Sequence, residues 1–468
     1  MATHFGEEAA GSQTVVRPEE PLTTQRVAQY FFAAFWTIIF TGCFRKWLFP
    51  GTSIFYLLQD VPITLAYLYA ISKGYFTRGL LFMGIGLLSA ILILLGLLQV
   101  VVIGLSPQVA FIGLHHYLYY LPMMLIFPLG LTPRHRRNFI RWNLWSALAM
   151  FPLSMAQAVS PTNAWINRSS EGDAFALPGT DVARISGPFN FSSSYGIWIA
   201  IALALCFGEW LQPRERRASQ STLLLSSATF IWAIIALVSG SRENIVLCAA
   251  GAVGAALAAV ITRSKRGMAA IVLGVIAMPI AVGLVAFISP VEYESMTERF
   301  TDRTNTSYDM KGRVAENLVG WAYKPDFSFI GKGVGMGIDA AHAGSADAYG
   351  FTYSLAESDP VRNVMELGTP VGYLWCTVRF GFALGMIVLA WRLMHIAPHT
   401  LALACMLFAQ VTWELTRNAT TTFTQVMIGY SFIFGVAVYP YLYEPPQPAE
   451  QITDPEAEPA LPAVGSAA

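Results

Sequence analysis

The sequence predicts an all-α polytopic membrane protein of about 12 transmembrane helices, with a large, partly helical loop between the ninth and the tenth. Three observations predict it. Of 468 residues, 55% are apolar and 12% charged, against roughly 25% charged in soluble proteins. Apolar runs near or above 18 residues recur along most of the chain, each a membrane-span candidate. Basic residues gather in alternate connections between those runs, as they do when one side of a membrane retains them. Lys plus Arg and Asp plus Glu are both 29, a formal net charge of zero. No global basic field attracts nucleic acid, and a nucleic-acid partner is excluded on that ground.

Taken in order, the apolar runs predict helices at about 28–43, 55–72, 80–104, 109–131, 142–158, 188–211, 221–239, 244–262, 268–289, 367–391, 400–415 and 423–440. Residues 1–27 form a polar N-terminal tail holding Glu7, Glu8, Glu19 and Glu20. They lack the basic start and short apolar core of a cleaved signal peptide, so the first helix directs insertion. With that tail inside, the five inner connections hold 13 Lys or Arg, and the outer ones apart from the largest hold 6. Thr132 to Arg137, Pro213 to Arg217 and Arg263 to Arg266 supply most of this bias, so both termini are expected in the cytoplasm. Residues 28–440 then form one transmembrane domain, and 441–468, rich in Pro, Ala and Glu, a disordered cytoplasmic tail.

Two outer connections exceed the usual 2 to 8 residues of helix-bundle loops. One is 159–187; the other, 290–366, carries Phe300, Trp321, Tyr323, Phe327 and Phe329 and a short helical pattern around Arg313 to Tyr323. These suffice for a packed periplasmic cap. No internal repeat is evident. The five cysteines, Cys43, Cys206, Cys248, Cys376 and Cys405, show no CxxC spacing and no neighbouring His ligand set, so neither a disulfide nor a zinc site is expected.

Charges at membrane depth or at helix ends are costly and therefore mark functional candidates. Arg184 precedes the helix at 188, Arg242 sits in the outer turn before 244, and Arg417 in the turn before 423. Arg313 and Arg362 lie in the large loop. Guanidinium groups converging from separate segments suit an anion, since each fork gives bidentate, charge-assisted bonds to phosphate. Snorkelling to the interface is the bland alternative for each. The run Glu357 to Gly368 places three acids and Arg362 at the membrane edge. A carboxylate there could take a proton from an acceptor hydroxyl, although acids also complement a helix start and Pro360 suits a first turn. Glu357 and Glu366 are the candidates. The GKGVGMG run, Gly331 to Gly337, lacks the strand context of a dinucleotide site; Gly333 and Gly335 are expected to let the backbone turn tightly or approach a substrate. His115 and His116 are expected to hydrogen-bond between helices. Arg379 is expected to pair with Glu414.

These motifs together resemble the bacterial O-antigen ligase and O-antigen polymerase superfamily of lipid-linked glycan transferases. The resemblance rests on Arg184 with GPFNFSSS, on Ser241-Arg242, on Gly312-Arg313 through Trp321 to FIGKGVGMG, and on MELG at Met365 to Gly368. Ligases of this type commonly carry a His-Asn pair nine residues before the ELG glutamate; here that position is Glu357-Ser358. This departure leans toward the polymerase branch. The resemblance implies a donor glycan on undecaprenyl diphosphate, a glycan or lipid acceptor, contact with membrane lipids and other polysaccharide export proteins, and the bacterial inner membrane as location. It further implies that Arg184, Arg242 and Arg313 hold the diphosphate, that Glu357 accepts the hydroxyl proton, and that Arg362, Glu366, Arg417, Gly333 and Gly335 contact substrate. Displacement would invert the anomeric centre. Neither a metal nor a cofactor is expected.

Ligase-type transfer of glycan to an acceptor remains the near alternative. A secondary transporter is the rival from another class, but such proteins place sites at the midplane between matching halves, whereas the halves here do not match. A non-catalytic scaffold would leave the outer arginines without a shared purpose.

Overall fold

The computed structural model describes residues 22–50, 52–75, 79–169, 183–288, 319–323, 328–337, 359–413 and 419–439, with the isolated residues 290, 293, 294 and 297. Among them the protein is all-α. The helices are α1 (Leu22–Cys43), α2 (Asp60–Ser72), α3 (Leu80–Val102), α4 (Pro107–Leu118), α5 (Met123–Ile126), α6 (Pro133–Val159), α7 (Ser192–Leu211), α8 (Thr222–Val238), α9 (Arg242–Ile261), α10 (Lys265–Ile288), α11 (Asp359–Leu367), α12 (Thr369–Leu393), α13 (His399–Trp413) and α14 (Ala419–Val438). Among the described residues, seven helical segments are long and apolar enough to cross a membrane: Thr23–Leu48, Leu80–Val102, Pro107–Gly130, Ser192–Leu211, Arg242–Ile261, Thr369–Leu393 and Thr421–Val438. Thr222–Val238 and His399–Thr412 are apolar but shorter. The chain is an all-α membrane protein.

α7 is the axis of the bundle. Its residues from Ser194 to Cys206 are all buried, as expected of a helix apolar on every side. Small residues bring its neighbours close. A Cβ on Gly196 would fall 1.5 Å from the Asn244 Oδ1 of α9, and one on Gly254 of α9 would lie 2.6 Å from the Leu401 carbonyl of α13. Such near-contact of backbones is how helices pack where lipid removes the hydrophobic incentive. α1 buries Val27, Phe31, Ala34, Phe35 and Ile38, one face at helical spacing. Phe35 stacks on Trp198 of α7, and Phe31 meets Phe127 and Phe139 edge-on. On α3, by contrast, Leu80, Met83, Leu87, Leu94 and Val101 stay exposed, a face suited to lipid.

Several boundaries differ from expectation for identifiable reasons. The single helix expected at 109–131 breaks into α4, a turn, α5 and a 3-10 turn at Phe127–Gly130, because Pro122 and Pro128 lack the N–H that would continue it. α6 begins well before 142, since Pro133 supplies a ready first turn. The basic run expected in a solvated loop is therefore helical. Its Arg136 is fully buried and donates to the carbonyls of Leu131, Gly435 and Tyr439, satisfying the open C-terminal end of α14. α1 starts at Leu22, inside the expected polar tail. The expected helix at 367–391 is α12, and a separate short helix, α11, precedes it across Gly368 with φ +77°. A Cβ there would sit 2.2 Å from the Phe329 carbonyl. The rest of the 1–27 and 441–468 tails, and most of 290–366, lie outside the described residues; within the large loop, Trp321–Tyr323 forms one helical turn.

Candidate functional site

Polar and charged side chains collect in three adjoining places, all near the helix ends that share a side with the starts of α2, α7, α9 and α14. The first lies beneath the glycine run. Glu366 of α11 is fully buried. Its Oε2 accepts from the Tyr117 hydroxyl at 2.8 Å and the Gly335 amide at 3.2 Å, and its Oε1 from the Gly337 amide at 2.8 Å. Gln99 of α3 closes the arrangement, donating to the carbonyls of Ile330 and Glu366 and accepting from the Val334 amide at 2.7 Å. The glycine run thus cradles an anion with its amides, as such loops do, but the anion is the protein's own carboxylate. Gly335 has φ +92°, and a Cβ there would come within 2.5 Å of the Val109 carbonyl on α4. Gly335→Ala is expected to cost about 2 kcal/mol or more, strain and overlap combined, visible as a lowered thermal midpoint in detergent. An unchanged midpoint would refute this packing.

Beside it, Asp359 opens α11 and bonds to both Arg362 and Arg379 of α12. Arg362 also faces Glu366, at 3.8 Å. Burial pushes the Asp359 carboxyl up, but Arg362 and Arg379 outweigh it and hold it below the usual aspartate range. Burial dominates at Glu366 and raises its carboxyl, in part against Arg362, the Tyr117 hydroxyl and the two glycine amides. For a carboxyl lowered by folding, the stabilisation is present above its ordinary pKa and is lost as pH falls below about 4. The stability gap between the wild type and Asp359→Asn is therefore expected to narrow between pH 7 and pH 3.5 in thermal unfolding. A constant gap would count against the ion pairs. Arg379 takes Asp359 as partner, where the sequence suggests Glu414; Glu414 lies outside the described residues.

The second place is the segment 183–191, which leads into α7. Ser186 to Asn190 are buried. Lys46, in the π-turn Phe44–Leu48 that ends α1, is fully buried and donates to the Ser186 hydroxyl at 2.8 Å and the Gly187 carbonyl at 2.9 Å. Gln157 of α6 grips Gly187 from the other side, donating to its carbonyl and accepting from its amide. A Cβ on Gly42 of α1 would lie 2.1 Å from the Pro188 carbonyl. Arg184 is partly buried just ahead of this turn, Arg45 is buried next to Lys46, and Arg242 opens α9, whose Asn244 abuts α7 at Gly196. Arg45, Arg184 and Arg242 thus sit at one end of the bundle, with Lys46 holding the turn that follows Arg184.

The third place joins α2, α4 and α14. Asp60, first residue of α2, accepts from the Tyr120 hydroxyl at 2.8 Å through Oδ1 and faces His115 Nε2 at 3.2 Å through Oδ2. Gln59 donates to Tyr120, and Thr421 of α14 donates to Gln59. Thr422 meets Ser194 of α7 at 3.4 Å. Phe423 packs on the rings of His116 and Tyr120. The start of α14 therefore links all three places.

Of the residues singled out in the sequence, Arg362, Glu366, Gly333 and Gly335 fall together in the first place, and Arg184 and Arg242 in the second. Gly333 has φ +126° and its close approach is to Leu105. Glu357, Arg313 and Arg417 lie outside the described residues. Arg45, Lys46, Asp60, Gln99 and Tyr117 are additions that come from the structure. Among the described residues, no three His, Cys, Asp or Glu side chains gather as a metal site would require, and all five cysteines are free. Compared with known proteins, the chain matches no family model, no curated protein and no solved structure.

Proposed function

We propose that the protein is a polymerase of oligosaccharide repeat units carried on undecaprenyl diphosphate, acting at the outer face of the bacterial inner membrane. One observation carries the reading: the partly buried Arg184, just before α7, and Arg242, first residue of α9, come to one end of the bundle, with Arg45 buried at the end of α1. Preorganised positive charge aimed at a leaving group is often the main source of rate enhancement, and a departing lipid diphosphate needs such charge. Arg184 and Arg242, with Arg313 from the large loop, hold the diphosphate. The acceptor hydroxyl attacks the anomeric carbon from the opposite side, and the configuration inverts without a metal. The buried network of Glu366, Arg362 and the glycine run holds residues 331–337 at this end of the bundle, and Arg417 precedes α14 in sequence. Twelve spans with both termini cytoplasmic put this end outside.

The glycans of a deletion strain test the reading. Accumulated single repeat units on the lipid carrier, restored to long polymer by complementation, support it. Long chains left on the carrier would indicate ligase-type transfer, and unchanged glycans would favour a transporter.

A further inference from the structure

The proposed reaction requires a group that takes the proton of the acceptor hydroxyl, and among the described residues the outer half of the bundle holds one imidazole paired with a carboxylate. We infer that His115, oriented by Asp60, is that proton acceptor; the inference rests on the polymerase reading. Several observations carry it. The side chains of His115 and Asp60 retain 24% and 12% of their exposure, so the pair is reachable. The other described histidines are not comparable: His116 is buried, His399 is sealed against Glu209 at the opposite end of the bundle, and His135 and His395 lie at that end as well. A nucleophile-activating base is recognised by a second group that holds it and a third that holds the second. Here Asp60 faces His115 Nε2, Tyr120 donates to Asp60, and Gln59 donates to Tyr120.

The far nitrogen of the ring, Nδ1, has no hydrogen-bond partner among the described residues. The ring itself is stacked on Tyr119, centroids 4.5 Å apart, and edge-on to Tyr120, so Nδ1 is held in a fixed direction. Exposed Val61 and Phe111 flank the pair on α2 and α4. A seam of this kind, polar within and apolar at its lips, fits an acceptor that is itself tethered to a lipid. Through Gln59, Thr421, Thr422 and Ser194 the pair is connected to the start of α7, directly after the segment that holds Arg184.

In the transfer, the acceptor oxygen forms the new bond to the anomeric carbon while the bond from that carbon to the diphosphate oxygen breaks, and undecaprenyl diphosphate leaves with the electron pair. The hydroxyl proton passes to Nδ1 of His115, whose Nε2–H remains directed at the Asp60 carboxylate, and the imidazolium later returns the proton to water.

The test uses full-length protein in liposomes, supplied with lipid-linked repeat units extracted from the deletion strain. His115→Gln and Asp60→Asn are expected to lower kcat by roughly 10² to 10³-fold, with KM changed by less than about two-fold. His115→Gly is expected to regain turnover when imidazole is added, a response that a mere tie between α2 and α4 would not give. Wild-type turnover by His115→Gln, or a His115→Gly enzyme that imidazole leaves inactive, overturns the assignment. If Glu357→Gln alone is inactive while His115→Gln turns over normally, the carboxylate is the base and the polymerase reading stands. If the wild type itself joins no repeat units, the polymerase reading falls and this inference with it.

Discussion

Arg184→Ala and Arg242→Ala are each expected to reduce polymer formation by about 10² to 10³-fold, the cost of removing one preorganised donor from a site of developing negative charge. Each side chain is partly buried at the edge of a turn that other residues also hold. Lys46, Gln157 and the Gly42 approach hold the turn after Arg184, and Asn244 against Gly196 fixes the start of α9. Truncating either arginine therefore leaves the scaffold in place, and the variants should insert and reach wild-type levels. Lysine substitutions should recover part of the activity, because a point charge replaces the charge but not the bidentate fork. The measurement is the chain-length distribution of surface glycan in the complemented deletion strain, read against membrane protein level. Full-length polymer from both alanine variants would rule out the diphosphate clamp.

Glu366→Ala is expected to cause the largest loss of stability, about 3 to 5 kcal/mol, as breaking a buried charged network does. The substitution strands the Tyr117 hydroxyl and the Gly335 and Gly337 amides and takes one carboxylate from Arg362, all in a place without water access. Glu366→Gln keeps an acceptor oxygen and should cost only about 1 to 3 kcal/mol. Because the cradle ties residues 331–337 to α11, the alanine variant should also be cut faster by protease within the large loop. The thermal midpoint in detergent and the rate of limited proteolysis are the readouts. Equal midpoints for Glu366→Ala and the wild type would show that the carboxylate does not anchor the loop.

The apolar runs made the helices legible, since each run is helical among the described residues, although 109–131 is helical only in pieces. Boundaries were less so, for reasons visible in particular residues. Pro122 and Pro128 announce the break after α4, yet the surrounding residues are apolar enough to mask it. Arg136 resembles a solvated basic residue in sequence, and only the packing of the end of α14 against α6 shows that its guanidinium is needed inside. In the candidate site, the local signals named the residues but not their partners. The glycine run was expected to turn tightly or approach a substrate, and what its amides approach is Glu366, because the chain turns α11 back beneath the run. Arg379 announced a need for an acid, but Asp359 and Glu414 both fit that need until the α11–α12 corner is known. Asp60 is a lone acid in an apolar run, a signal in its own right, whereas its link to His115 is purely tertiary. Lys46 gave no signal beyond an outer basic pair.

Reconstitution decides whether the protein itself joins repeat units. Purified protein in liposomes, given undecaprenyl-diphosphate-linked repeat units as sole substrate in the presence of a divalent-metal chelator, is expected to produce a ladder of lipid-linked oligomers and free undecaprenyl diphosphate, with inverted configuration at each new linkage. Substrate recovered as unjoined repeat units, under conditions where the protein remains folded, would contradict the polymerase reading.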